Sequence, residues 1–470
     1  IFGKCEIPTL KLLDTLSDTN KYTPIDTDFV LDLGNSRTCG ILLEKPDNQD
    51  VRIDSAIPFK IRDFENADVY RSGLMESRVE LSQANFGRDD LAKRTGRMEA
   101  FLWPSPVRIA SEARSIQMRS KSTDTASGLS SAKRYLWDQN AVEREWRFAG
   151  ASNGSLPTIA IQTRQLFSEA GDLRTGDIPP ARDIRFSKSS FMTFMIAELI
   201  AHAFAQINNP QERGTRPNSS IPRRLSKIIL TIPTATPSRE QSILRRRASE
   251  ALDYVWRMLE LPDTHTYKKP ELLIDWDEAS CSQQVFLFNE IRETYAHEAG
   301  KYFSDYGKER DIRGAVNNSL RIASIDIGGG TTDLMVTSYS CESGDVIYPV
   351  QEFREGFRVA GDDILYSIIK EAIFSGITKH LKDAGGSLVE MALASFFQTV
   401  DDSKTSIKSN FANSVLLPTA IQILGHFEDP EINIANISIE NPLLHNNGVF
   451  SDVLNDIART AGLIEWPAAD

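Results

Sequence analysis

The sequence predicts an α/β protein, because short buried-type strands alternate with helix-period segments along most of its 470 residues. Three observations carry this. Two apolar runs, Phe29 to Leu33 and Leu320 to Ile327, each end in a glycine-containing turn and resume on its far side. The segment Lys227 to Ile232 reads as a buried strand and leads, after a Pro233 to Ser238 turn, into helical periodicity from Arg239 to Leu261. The stretch Phe191 to Ile207 is apolar except for Glu198 and His202, which fits a mostly buried helix and falls short of an uninterrupted membrane span of about 20 residues.

In chain order, residues 1–27 read as a polar, irregular extension. Phe29 to Leu33, the turn Gly34-Asn35-Ser36-Arg37 and Cys39 to Leu43 form strand, tight turn and strand, with Gly34 expected to supply unusual backbone angles. Residues 85–135, rich in Arg, Lys and Ser, read as an exposed lobe or loop, with a basic cleft wall as the alternative. Ser187 to Asn208 is the long helix, with Ser189 or Ser190 as its cap, and Asn209 to Arg224 is a loop. Leu320 to Ile327, a Gly328-Gly329-Gly330 turn and Asp333 to Tyr339 form a second strand-turn-strand, followed by a helix from Ile364 to Ile377. The last hundred residues carry no recognisable motif. The likeness of the two hairpins hints at a duplicated core.

Composition narrows the class. Apolar residues are 41% and charged residues 25%, as in ordinary globular domains, which excludes collagen-like and wholly disordered chains. The length suggests roughly two to four domains. With 53 Lys and Arg against 65 Asp and Glu the net charge is −12, unsuited to nucleic-acid binding but compatible with a magnesium-bound nucleotide. Cys5, Cys39, Cys281 and Cys341 are widely spaced, which argues against a disulfide framework and for the cytoplasm. The chain opens at Ile1 and its first methionine is Met75, so it reads as a fragment or processed product and a targeting signal cannot be judged.

Chemistry concentrates at the two hairpins. Asp32 precedes Leu33-Gly34-Asn35-Ser36-Arg37-Thr38, and Asp326 precedes Ile327-Gly328-Gly329-Gly330-Thr331-Thr332-Asp333. Glycine turns let successive N–H groups converge into an anion nest. The hydroxyls of Ser36, Thr38, Thr331 and Thr332 add donors, while Asp32 and Asp326 suit a hydrated magnesium ion. One such turn is ordinarily a plain hairpin. Two of this form, about 290 residues apart, point to paired phosphate loops.

These residues resemble the actin, sugar-kinase and heat-shock-chaperone superfamily of ATPases, across residues 28–377. The resemblance implies a two-lobed actin-like ATPase fold built on a duplicated ribonuclease-H-like core. Residues 28–300 would form lobe I, with an inserted subdomain around 55–190, and residues 301–470 an incomplete lobe II. Asp32 to Thr38 is similar to the first phosphate motif and Asp326 to Asp333 to the second. Ser131-Ala132-Lys133-Arg134-Tyr135-Leu136 is similar to the chaperone segment that carries a catalytic lysine, here Lys133. Ile228 to Pro233 resembles the strand before the connecting region, Glu278 stands where that region carries an acid, and Val359-Ala360-Gly361-Asp362-Asp363 resembles the step after the second motif. Read by themselves, Lys133 is a surface lysine and Glu278 a solvated acid at a helix start.

The resemblance therefore implies ATP and Mg2+ as cofactors. Lys133, Glu278, Asp326 and Thr331 would be catalytic, and Asp32 and Asp326 would hold the metal through water. Gly34, Asn35, Ser36, Arg37, Thr38, Gly328, Gly329, Gly330, Thr332, Gly361 and Asp362 would line the nucleotide. Gly385-Gly386-Ser387 has the letters of the adenosine motif but follows no strand, so it reads as a loop, and the adenosine strand is expected beyond Asp470 or lost from this fragment. Within the superfamily, the opening Leu31-Asp32-Leu33-Gly34-Asn35-Ser36-Arg37-Thr38, the loop Asp326 to Asp333 and the large insertions resemble the bacterial virulence-factor SrfB proteins. The implied function is a slow ATP-hydrolysing switch read by a protein partner. A small-molecule kinase, an actin-like filament protein and a nucleotide-binding scaffold without turnover are the alternatives. The kinase needs an aspartate base beside an acceptor pocket, which the sequence does not single out.

Overall fold

The computed structural model describes residues 23–45, 56–64, 69–86, 94, 96, 102–118, 127–146, 159–234, 236–261, 268–312, 315–342, 346–398, 408, 411–428 and 448–467. Cys5, most of the N-terminal extension and residues 119–126 of the basic stretch lie outside them. Its class is mixed α/β, with several small sheets.

The first sheet is built on β1 (Ile25–Leu33) and β2 (Arg37–Lys45), paired antiparallel with Asp32 opposite Cys39 and Leu33 opposite Thr38. Phe29, Leu31 and Leu33 alternate into the core, the period-two pattern of a strand. β1 starts four residues before its apolar run, because Ile25, Asp26 and Thr27 pair with Arg223, Arg224 and Leu225. Tertiary pairing, not hydropathy, sets that end, so the expected extension gives up its last residues to the sheet. β3 (Ile57–Pro58) extends the sheet beside β2. Short strands follow: β4 (Lys60–Arg62) pairs with β5 (Tyr70–Ser72), β6 (Met75–Glu76) pairs with the start of β2, and β7 (Arg78–Leu81) lies between β8 (Val107–Ile109) and β9 (Gly128–Ser130). Helix α1 (Ala110–Met118) continues directly from β8.

The basic stretch is therefore not a plain exposed loop where it is described. Val107, Ile109 and Ala113 are buried, and so is Arg108. The reason lies about 90 residues away, in α2 (Ser190–Ile207), every residue of which is buried. Glu198 of α2 accepts from Arg108 Nη2 at 2.7 Å and from Trp103 Nε1 at 2.7 Å, and it lies 2.9 Å from His202 Nε2. Burial opposes the charge on Glu198, but Arg108 and His202 outweigh it and hold the carboxyl below the usual range. The two residues that interrupt the apolar run thus point inward, and Glu198 ties Trp103 and Arg108 to the core. By length and composition α2 could cross a membrane, yet it is enclosed by protein. Ser189 precedes the helix, but its hydroxyl donates to the Leu136 carbonyl at 2.8 Å and caps nothing.

β10 (Arg223–Ile232) runs parallel to β1, and β11 (Glu271–Asp277) parallel to β10, giving the order β11-β10-β1-β2-β3. Parallel neighbours need a crossover, and α3 (Ser238–Met258) supplies it while packing on α2. The expected loop from 209 to 224 holds a helical turn, Pro210–Gly214, and its end is strand. Fully buried Arg223 fixes it, donating to the carbonyls of Pro217, Asn218 and Ile221 and to both oxygens of Glu44, at 3.0 and 3.1 Å.

The second sheet has the order β12 (Lys308–Ile312), β13 (Ala315–Ile327), β14 (Thr332–Glu342), β15 (Val346–Phe357), all antiparallel. α4 (Glu278–Tyr295) and α5 (Ala299–Tyr306) pack on it through Leu287, Ile291, Tyr302 and Phe303 around Tyr339. α6 (Gly361–Ile368) runs through a π-helical turn, Ile369–Ile373, into α7 (Phe374–Asp383), so the helix exceeds its expected ends. Gly385, at φ +92°, and Gly386 terminate α7, so Gly385-Gly386-Ser387 follows a helix as a loop. The motif-free end of the chain is helical where described, with α8 (Val389–Gln398), α9 (Leu417–Glu428) and α10 (Gly448–Thr460), α8 and α10 sharing a cluster with Leu381, Phe411 and Leu416.

Helix α1 carries a pH-dependent liability. Burial raises Glu112 of α1 to about 7, with Glu198 and Asp63 adding to it and Arg108 opposing. Between about 4.5 and 7 the folded chain holds a proton that the unfolded chain releases, so stability falls as pH rises through this window. Glu112→Gln removes the effect. Its thermal or urea stability relative to wild type is expected to be on the order of 3 kcal/mol more favourable at pH 8 than at pH 4.5; an equal difference at both pH values would show Glu112 to be solvated.

Candidate functional site

Both hairpins form as the sequence suggests, and their tips touch. An ideal Cβ on Gly329 would stand 2.1 Å from Ser36 Oγ, and one on Gly330 would stand 2.3 Å from Asn35 Nδ2. The close approach, not backbone angle, explains the glycines. Neither Gly34 nor Gly328, Gly329 or Gly330 has positive φ, which corrects the expectation for Gly34. A side chain there would meet the Arg37 carbonyl at 2.4 Å.

Each loop is braced from behind. In the first, Ser77 donates to the Gly34 carbonyl at 2.8 Å, its amide donates to the Ser36 carbonyl at 3.0 Å, and its hydroxyl meets that of Thr38 at 2.9 Å. Thr38 is buried, so its hydroxyl holds the loop rather than offering a donor to a phosphate. Arg37, paired through its backbone with Glu76, is exposed. In the second loop the Gly328 amide donates to the Thr331 carbonyl at 2.9 Å. The first amides of α6, Gly361 and Asp362, donate to the carbonyls of Gly328 and Gly329, each at 2.9 Å. Thr332 Oγ1 donates to the Val359 carbonyl at 2.6 Å, so this hydroxyl too is spent on bracing. Thr331 remains at the tip.

Lys133 and Glu278, 145 positions apart, form an ion pair of 2.9 Å. Lys133 lies on a 3₁₀ turn, Ala132–Tyr135, that follows Ser131 in the left-handed region at φ 57°, ψ 52°. That conformation costs a serine about 1 kcal/mol, and the Ser131 amide is held by the Ser77 carbonyl at 2.9 Å. Glu278 opens α4, whose cap Asp277 accepts from the Ser280 amide at 2.8 Å and from Thr234 Oγ1 at 2.9 Å. Lys133 is 9% and Glu278 21% exposed, so neither is the solvated surface residue that each alone suggests. Burial pushes the Glu278 carboxyl up, Lys133 pulls it down, and Asp32 and Asp326 push it further up, leaving it raised. Asp32 and Asp326 therefore share the electrostatic surroundings of the pair, and Asp32 also accepts from Thr231 Oγ1 at 3.4 Å. Among the described residues, no three His, Cys, Asp or Glu side chains converge on a common metal position.

Two contacts carry no sequence signal of their own. Arg134 Nη2 pairs with Asp362 Oδ2 at 3.1 Å, and Ser36 Oγ donates to Asp362 Oδ1 at 3.4 Å. Adjacency to Lys133 marks Arg134, but the direction of its side chain follows only from the bend at Ser131. Ser77 has no signal at all. Beside the loops lies a cleft of about 150 Å³, lined by Glu76, Arg78, Arg114, Ser131, Asp362 and Leu417, with Asn35 and Ser36 on its loop side.

The tip contact is testable. Gly329→Ala is expected to destabilise the chain by about 1–3 kcal/mol through overpacking against Ser36, and Ser36→Ala, which deletes the clashing hydroxyl, should recover most of the loss. Urea unfolding of both single variants and the double variant measures this coupling; strict additivity would mean that the tips do not touch in solution.

No match was found among curated proteins. The family described as Virulence factor SrfB matches residues 1–461, nearly the whole chain. The protein belongs to the SrfB virulence-factor family.

Proposed function

We propose that this chain binds Mg-ATP between its two glycine hairpins and hydrolyses it slowly, as a switch whose nucleotide state a protein partner reads. One observation carries the reading: two hairpins, each with an aspartate at its strand end, meet tip to tip beside the Lys133–Glu278 pair. The sheets support the actin-like comparison. The order β11-β10-β1-β2-β3, antiparallel on one side of β1 and parallel on the other, is the pattern expected of a ribonuclease-H-like core, and β13-β14-β15 repeat its antiparallel part.

In this reading the loop amides and Thr331 hold the terminal phosphate, and the tips must part to admit it, so binding is coupled to movement of the loops. Lys133 and Glu278 orient a water molecule, the ammonium donating and the carboxylate accepting. Burial raises the proton affinity of the Glu278 carboxyl, which favours it as the group that accepts from the water. Catalysis would rest on positioning and electrostatics. Asp32 and Asp326 fit a hydrated magnesium ion, which needs only one or two carboxylates, but do not fit an ion ligated wholly by protein. When bound, the ion supplies positive charge to the phosphate oxygens.

A small-molecule kinase is the second reading, favoured by the cleft beside Ser36 with the Asp362 carboxylate on its wall. Single-turnover phosphate release separates the two. The switch predicts slow release with water as acceptor, and about a 100-fold slower rate in Lys133→Ala with nucleotide affinity nearly unchanged. A burst that depends on an added sugar or hydroxy acid supports the kinase, and an unchanged Lys133→Ala rate removes the lysine from the mechanism. Calorimetry of Asp326→Ala is expected to show loss of magnesium-dependent ATP binding; equal affinity with and without magnesium in the wild type would refute the metal assignment.

A further inference from the structure

Lys133 and Arg134 are neighbours in the chain but serve different partners. Lys133 is nearly enclosed and pairs with partly buried Glu278. Arg134 is 46% exposed and pairs with Asp362, which is 29% exposed, across the tip of the second hairpin. The Arg134 guanidinium lies 3.5 Å from where a side chain on Gly330 would begin, so it stands at the loop that would hold the terminal phosphate. Asp362 is an acceptor-only group set between that guanidinium and the Ser36 hydroxyl. Both donors would serve a phosphate oxygen equally well. The carboxylate occupies them as an anion of the protein's own.

We propose that Arg134 is the residue that distinguishes a nucleoside triphosphate from a diphosphate, by exchanging Asp362 for the terminal phosphate; this rests on the Mg-ATP reading above. The exchange is easy in one direction and favourable in the other. A half-exposed ion pair contributes little stability and breaks readily, whereas arginine presents a planar fork that matches phosphate oxygens and cannot lose its charge. When only two phosphates are present, Arg134 returns to Asp362. The geometry also gives the exchange a route outward. Asp362 is the second residue of α6, and the first two amides of α6 hold the carbonyls of Gly328 and Gly329. A change at Asp362 therefore acts on the loop and on the helix together. Arg134 is a positioning and specificity residue in this scheme, and its effect falls on the choice of nucleotide.

The test is calorimetric titration of the whole chain with Mg-ATP and with Mg-ADP, for wild type, Arg134→Ala, Arg134→Lys and Asp362→Asn. Wild type is expected to prefer ATP by about tenfold or more, and Arg134→Ala to bring the two affinities within about twofold, by weakening ATP and leaving ADP alone. Arg134→Lys, which keeps the charge without the fork, should retain part of the preference. Asp362→Asn removes the competing carboxylate and should strengthen ATP relative to ADP. An unchanged ratio in Arg134→Ala that melts like wild type overturns the role of Arg134 and leaves the nucleotide reading standing, as does an Asp362→Asn that loses ATP preference. Binding of neither nucleotide by wild type overturns the nucleotide reading and this inference with it.

Discussion

The absence of side chains at two positions of one hairpin tip is the constraint on which the site depends. Gly329 and Gly330 approach Ser36 and Asn35 so closely that a single methyl group would have to displace their side chains. Two strands from different sheets, separated by almost 300 residues, can therefore bring their aspartate-bearing ends to one place. The rest of the local structure keeps them there. Ser77 and β6 brace the first loop, the N-terminus of α6 and the Thr332–Val359 bond brace the second, and the amides of Ser77 and Asp362 hold the tip carbonyls of Ser36 and Gly329. Rigid support behind and bare backbone in front is an arrangement that presents amides to an anion without lysine in the loop.

Charge follows the same logic. Asp32, Asp326 and Glu278 share a small region with one close cation, Lys133. Burial is the main reason that the proton affinity of Glu278 is raised; Lys133 opposes it, and Asp32 and Asp326 add to it. A cation bound beside these carboxylates would be linked to what the loops hold. Arg134 is kept out of this balance by its own partner, Asp362. The two neighbouring cations thus divide the site, one enclosed beside Glu278 and one half-exposed at the tip.

The hairpins were legible in the sequence because an apolar run, an aspartate and a glycine turn are local signals. Their ends were not. β1 gains Ile25 to Thr27, and β10 gains Arg223 to Ser226, only because the two strands pair across about 200 residues. The reason for Gly329 and Gly330 was also hidden, since their close approach depends on the opposite loop and backbone angle does not. Lys133 and Glu278 could be selected by resemblance, yet nothing local said that the two would meet. Thr38 and Thr332 looked like phosphate donors, and their bonds to Ser77 and Val359 are tertiary facts. The arginine-rich stretch misled for a related reason, because a charged residue such as Arg108 is buried when a distant partner, Glu198, neutralises it.

The central claim is that both hairpins act on one ligand. Backbone hydrogen exchange measured across residues 34–38 and 328–332, with and without Mg-ATP, addresses it most directly. The account predicts that the amides of both segments slow together on addition of Mg-ATP, and that omission of magnesium abolishes both effects. Protection confined to one hairpin, or no change in either at saturating nucleotide, would contradict it.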